Sequence, residues 1–139
     1  DNTNKNEEQN EKVKNIDLWK VYDNSIGCRT IKGPLESGSY SILDLPEVNK
    51  RLVLTWGNFQ DCLNEMNKNE AEPKAIINCL NFGSPEHCIK DIRESIEKLN
   101  ENCKKYKIPI IGGNVSLYNT TDDISINPTV VLVMLGLKD

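Results

Sequence analysis

The sequence predicts a layered domain of the α+β or α/β class, with helices on one face of a mixed sheet. Three observations predict it. The segment Asn127-Pro-Thr-Val-Val-Leu-Val-Met-Leu-Gly-Leu137 is apolar enough to be a buried strand. Ser84-Pro85-Glu86 opens a long amphipathic stretch with the residues that suit a helix start. Between the turn signals the periods run strand, strand, helix, strand, helix, strand, strand, an order that stacks helices on a sheet.

Residues 1–17 are rich in Asn, Glu and Lys with almost nothing apolar, too little to offset the entropy of ordering them. They are expected to be a disordered tail or linker, and residues 18–139 the folded unit. Leu18-Trp19-Lys-Val-Tyr22 supplies the first large side chains that anchor the chain to a core. Gly33-Pro34 and Ser37-Gly38 bracket a loop. Residues 39–45 and 51–55 alternate as strands.

Phe59, Cys62, Leu63 and Met66 follow the spacing of an amphipathic helix, which Glu72-Pro73 is expected to end. Ala75-Ile-Ile77 follows that breaker and is too short for a helix, so it reads as a buried strand delivering Asn78 to its end. In the next helix Ile89, Ile92, Ile96, Leu99 and Cys103 form the apolar stripe, and Lys104 and Lys105 complement its C-terminal dipole. The seam is short for a coiled coil, and the flanking strands favour packing on a sheet. A strand over 107–117, a polar turn around Asp122-Asp123 and a strand over 128–137 complete the order.

The composition narrows the function classes. At 139 residues, 37% hydrophobic and net charge −4, the chain suits one domain, and its lysines are spread among acids without the basic footprint of a nucleic-acid binder. No apolar run reaches the roughly 18 to 20 residues of a membrane span, and no basic-then-apolar leader opens the chain. The first residue is Asp1, which suggests a piece of a longer polypeptide. Cys28, Cys62, Cys79, Cys88 and Cys103 are an odd set without Cys-x-x-Cys spacing and read as reduced cytosolic thiols. The only histidine, His87, has just Cys88 nearby, so zinc is not expected and His87 reads as a surface residue. The acceptor patterns Asn114-Val-Ser and Asn119-Thr-Thr are discounted, since nothing else argues for secretion.

The chemistry concentrates in Ile110-Ile-Gly-Gly-Asn-Val-Ser-Leu-Tyr-Asn119. On a strand, Asn114, Ser116 and Tyr118 share one face while Val115 and Leu117 take the other. Gly112 and Gly113 lack a Cβ, so a phosphate or nucleotide can approach the backbone beside a carboxamide and a hydroxyl. The bland alternative is a half-exposed strand that opens with a bulge. Asn78 has a similar alternative, a strand-end asparagine bonded to its own turn, and Asn81 and Gly83 are given no role.

Together, Asn78-Cys-Leu-Asn-Phe-Gly83, Ile108-Pro-Ile-Ile-Gly-Gly-Asn-Val-Ser-Leu-Tyr-Asn119 and the closing apolar strand closely resemble the synthetase component of phosphoribosylformylglycinamidine synthase. The similarity runs from about Tyr22 to Leu137, and it is closest to the amino-terminal half-domain of the second aminoimidazole-ribonucleotide-synthase-like repeat. Tyr22-Asp-Asn-Ser-Ile-Gly-Cys-Arg-Thr-Ile-Lys-Gly-Pro34 resembles the way family members lead into this repeat. The resemblance implies an α+β half-barrel, a mixed sheet of four to five strands with helices on one face that pairs with an equivalent domain. It also implies an ATP-dependent ligase of purine biosynthesis, cytoplasmic, which converts formylglycinamide ribonucleotide, ATP and glutamine-derived ammonia into formylglycinamidine ribonucleotide, ADP and phosphate.

By the same resemblance Asn78 and Gly113 contact ATP, Asn114 is a magnesium ligand and Ser116 touches the substrate. Many members carry aspartate at the position of Asn78, so a metal role for Asn78 is expected to be weak. The family's catalytic histidine and most of its magnesium carboxylates lie in the other repeat, and a glutaminase and carboxyl-terminal domains complete the enzyme. The isolated chain is therefore expected to be inactive. Members usually have a longer loop where Trp56-Gly-Asn58 stands here. Two rival readings are an architectural half-barrel without a catalytic part, and another enzyme of the superfamily, such as aminoimidazole ribonucleotide synthase or a small-molecule kinase. The latter usually carry paired aspartates early in the domain, and Gly33-Pro-Leu-Glu-Ser-Gly-Ser-Tyr40 has none.

Overall fold

The computed structural model describes residues 27–139. The tail expected over 1–17, the anchor Leu18–Tyr22 and the family-like stretch from Tyr22 to Ile26 lie outside the described residues. Strand β1 is Thr30–Lys32, and a short turn of helix, α1, is Pro34–Ser37. Strands β2 (Tyr40–Leu45) and β3 (Lys50–Gly57) follow, then helix α2 (Phe59–Lys68), strand β4 (Glu72–Asn81) and helix α3 (Pro85–Tyr106). Strand β5 is Ile110–Ser116, β6 (Thr120–Thr121) and β7 (Ile124–Ser125) form a small hairpin, and β8 is Thr129–Lys138.

Six strands form one open, mixed sheet in the order β1-β2-β3-β8-β4-β5. Only β4 and β5 pair in parallel, with α3 as their crossover; every other pair is antiparallel. The α+β expectation holds, and the sheet is one strand wider than expected because β1 adds a three-residue edge. The last strand, β8, enters the centre between β3 and β4, where both of its edges are paired.

One face lies under the helices. Val53 and Thr55 of β3, Ile76 and Leu80 of β4, and Leu132 and Met134 of β8 are buried there with Cys62, Leu63 and Met66 of α2 and Leu99 of α3. Gly136 lets the end of α2 come close: a Cβ there would stand 2.5 Å from Met66 Sδ. The tight connection at Trp56-Gly-Asn58 is a helix cap. The Asn58 carboxamide oxygen accepts from the Asp61 N–H at 2.9 Å, so the strand passes straight into α2.

Three expectations change. Helix α2 stops at Lys68, before Pro73: Glu70 is left-handed and the Ala71 N–H returns to the Met66 carbonyl, a local stop that needs no proline. Pro73 instead lies in β4 opposite Gly136, beside an irregularity in the ladder. Strand β4 runs on to Asn81, so Asn78 sits inside the strand and not at its end. On α3, Ile92, Leu99 and Cys103 reach the core, but Ile89 and Ile96 are exposed and Cys88 is buried in their stead. For Ile89 and Cys88 the cause is local, since Cys88 departs from helical geometry and rotates the first turn relative to the rest.

Candidate functional site

Strand β5 is the far edge of the sheet, and its register places the candidate residues. Pairing sets Asn78 beside Gly113, Cys79 beside Asn114 and Asn81 beside Ser116. Since Ile76 and Leu80 face the helices, Asn78 and Gly113 lie on the helix side, while Asn114 and Ser116 share the open face with Ile77, Cys79 and Asn81. The four residues thus form two pairs, on opposite faces of one edge. An irregularity at Ile76–Ile77 sets this phase, because Ile76 pairs with Ile110 and Ile77 with Gly112, leaving Ile111 over.

Gly113 is needed for close approach. A Cβ there would lie 1.5 Å from Asn78 Oδ1 and 2.4 Å from the Asn78 carbonyl oxygen; the side chain can turn away, the backbone oxygen cannot. Gly112 is different, with open space where its Cβ would be. Asn114 is exposed, and so is Val115 on the helix side.

The expected alternation stops at Ser116. Tyr118 is left-handed (φ 59°), so its side chain leaves the row formed by Asn114 and Ser116. The turn is knitted to the β4–α3 connection: the Phe82 N–H donates to the Ser116 carbonyl (2.9 Å), and the Tyr118 N–H to the Gly83 carbonyl (2.9 Å). Asn119 is the residue the sequence reading passed over as a site. Its Nδ2 donates to the Phe82 carbonyl at 2.9 Å and to Ser116 Oγ at 2.8 Å. Its place at the end of the Gly-Gly-Asn-Val-Ser-Leu-Tyr-Asn block was the available signal.

The electrostatics of this edge are mild. Among the described residues no three His, Cys, Asp or Glu side chains are grouped to hold a metal ion, and Asn114 itself offers one neutral oxygen. All five cysteines are free; burial pushes the Cys62 and Cys103 thiols above their ordinary range, in line with their core positions. His87 is exposed in the first turn of α3. No helix among the described residues is long and apolar enough to cross a membrane. A groove between α2 and α3, lined by Phe59, Ser95, Leu99, Val130 and Leu132, includes none of the candidate residues.

Residues 58–137, more than half of the chain, match the model of the AIR synthase related protein, N-terminal domain. The chain is 41% identical over 105 residues to the phosphoribosylformylglycinamidine synthase subunit PurL of Corynebacterium jeikeium, covering 74% of this chain and 12% of that protein. Among solved structures, PurLQS from Thermotoga maritima superposes with a TM-score of 0.73 at 26% identity, over 88% of this chain and 23% of that one. T. maritima PurL complexed with ATP (TM-score 0.67, 26% identity) and with FGAR (0.68, 25%) each cover 86% of this chain and 22% of theirs. The chain thus spans about an eighth of the length of that curated relative and under a quarter of those solved chains. By the family match from the N-cap of α2 through β8, it belongs to the AIR synthase related proteins and carries their N-terminal domain.

Proposed function

We propose that this domain forms one wall of the active site of a phosphoribosylformylglycinamidine synthase, cytoplasmic and acting in purine biosynthesis. The observation that carries the reading is the edge strand β5, where the Gly-Gly-Asn-Val-Ser block of a PurL-like sequence presents Asn114 and Ser116 on one face and Gly113 with Asn78 on the other. A ligand lying along an unpaired edge is reachable from both faces. Asn78 and the bare Gly113 backbone hold ATP, and the Ser116 hydroxyl donates to formylglycinamide ribonucleotide.

Asn114 suits magnesium as a hard amide oxygen, with phosphate oxygens, water and carboxylates from outside the described residues as the other ligands. Magnesium would neutralise phosphate charge. The domain's own contribution is alignment: it holds nucleotide and amide so that the amide oxygen meets the terminal phosphoryl group, after which ammonia displaces phosphate. The catalytic histidine, the glutaminase that supplies ammonia and the equivalent half-domain belong to the rest of the assembly. That half-domain also covers the open sheet face, whose apolar side chains, among them Leu52, Leu54, Trp56, Val133 and Leu135, are only half-buried here.

The test is turnover of the complete protein with formylglycinamide ribonucleotide, ATP, magnesium and ammonium, comparing wild type with folded Asn114→Ala and Ser116→Ala variants. The proposal expects each variant to lose product formation by tenfold or more, on the order of a charged hydrogen bond or a metal ligand. Unchanged turnover would assign the domain an architectural role.

A further inference from the structure

We infer that Asn119 is a positioning residue that sets the direction of the Ser116 hydroxyl proton; the inference rests on the proposed contact of Ser116 with the substrate. Asn119 is pinned from three sides. Its N–H and Nδ2 both donate to the Phe82 carbonyl, at 3.2 and 2.9 Å, and its own carbonyl accepts the Ile126 N–H at 3.0 Å. A carbonyl oxygen only accepts, so the contact with Phe82 fixes which end of the carboxamide is nitrogen.

That orientation leaves Ser116 Oγ between the two ends, 2.8 Å from Nδ2 and 3.0 Å from Oδ1. Nδ2 has two hydrogens, one for Phe82 and one for Ser116. Accepting from Nδ2 holds the serine oxygen in place while its single proton either turns to Oδ1 or points outward. An anionic acceptor draws the proton outward without moving the oxygen. Ser116 is thereby a preset donor, selective for an acceptor such as a phosphate or carbonyl oxygen over another donor. Asn119 sits beyond the strand end, three residues from Ser116, so it acts through that hydroxyl.

The complete protein is assayed with formylglycinamide ribonucleotide and ATP varied separately, for Asn119→Asp, Asn119→Ala, Ser116→Ala and the double variants. Aspartate keeps the size of Asn119 but replaces the donor with an oxygen that faces the Phe82 carbonyl and captures the serine proton. The expected result is a KM for formylglycinamide ribonucleotide raised about tenfold by Asn119→Asp, the scale of one hydrogen bond to a charged acceptor. KM for ATP should stay within about twofold, and neither Asn119 change should raise KM further once Ser116 is alanine, the pattern of two residues acting as one. Full multiplication of the two effects, or KM for both substrates rising together, overturns the inference. A lowered melting temperature without a KM change does so too, because it confines Asn119 to holding the turn. If Ser116→Ala alone leaves KM unchanged, the substrate-contact reading fails and this inference with it; if Ser116→Ala raises KM and Asn119→Asp does not, only this inference fails.

Discussion

The two faces of the sheet are built from the same strands and differ in what covers them. On the helix side Val53, Ile76 and Met134 have no exposure and Leu132 has 1%. Their immediate neighbours on the open side, Leu52, Leu54, Ile77, Val131, Val133 and Leu135, are equally apolar but partly or fully exposed. A strand solvated on one face ordinarily alternates apolar with polar, so the apolar run at the centre of this uncovered face, beside the polar Asn81, Asn114 and Ser116 at its edge, fits the proposed covering by a second half-domain. The helix face holds this domain's buried core, while the centre of the open face is equally apolar and left uncovered by the described residues.

The sharpest way to break this comparison is to truncate neighbouring residues of β8. Leu132→Ala should cost about 2–5 kcal/mol, because it leaves a cavity against α2 and α3. Val133→Ala, one residue along on the open face, should cost less than about 1 kcal/mol in the chain alone, where little packing is lost. Urea unfolding of the two variants measures both. Equal costs would mean that the open face is packed within this chain and has no need of a partner.

How much of this was legible in the sequence follows the same division. The helix-side core declared itself through periodicity: Cys62, Leu63 and Met66 of α2 are buried as their spacing implies, and the run in β8 marked a central strand. Signals that depend on a few residues of backbone geometry were not legible. Strand β1 is three residues long, the β6–β7 hairpin has two residues a side, and α1 occupies a segment that reads as a loop, all too short to show a period. The stop of α2 at Glu70 is a left-handed residue that the sequence does not announce, whereas Pro73 announces a stop and lies in a strand. At the candidate site the residue types were legible, and so was the face shared by Asn114 and Ser116, but not which side of the sheet that face would be. One bulge at Ile111 decides that Asn114 and Ser116 share the open side, and a one-residue shift would have reversed every assignment.

Adjacent glycines sharpen the comparison at the site itself, with a smaller effect. Gly113→Ala places a methyl group against the Asn78 carbonyl oxygen, on the helix side of the edge, and should cost about 1–3 kcal/mol as β4 and β5 separate. Gly112→Ala meets nothing within 4 Å and should be neutral, or stabilising by about 0.4–1 kcal/mol through the unfolded chain. Hydrogen exchange of the β4 amides should quicken in the first variant only. Matching exchange in both would show that β4 and β5 are held by something other than this contact.

The smallest effect is expected where neither face is involved. Arg29 and Glu47 form a two-pronged ion pair in which both side chains are largely exposed. The hydrogen bonds and charge of Arg29 hold the Glu47 carboxyl below its ordinary range, and Glu47 in turn raises Arg29, whose titration already lies above any working pH. For a carboxyl lowered in the folded state the sign is fixed. Its contribution is present above the ordinary glutamate pKa of about 4.3 and fades as pH falls through the lowered value. Solvent screens an exposed pair, so Glu47→Gln should leave the unfolding midpoint at pH 7 almost unchanged, with a difference that shrinks further in high salt and vanishes in acid. Unfolding midpoints of the variant and the wild-type chain between pH 7 and 3 give the answer. A large loss at neutral pH would show that the β1 edge is held by charge, and that burial under the helices is not what decides stability across this sheet.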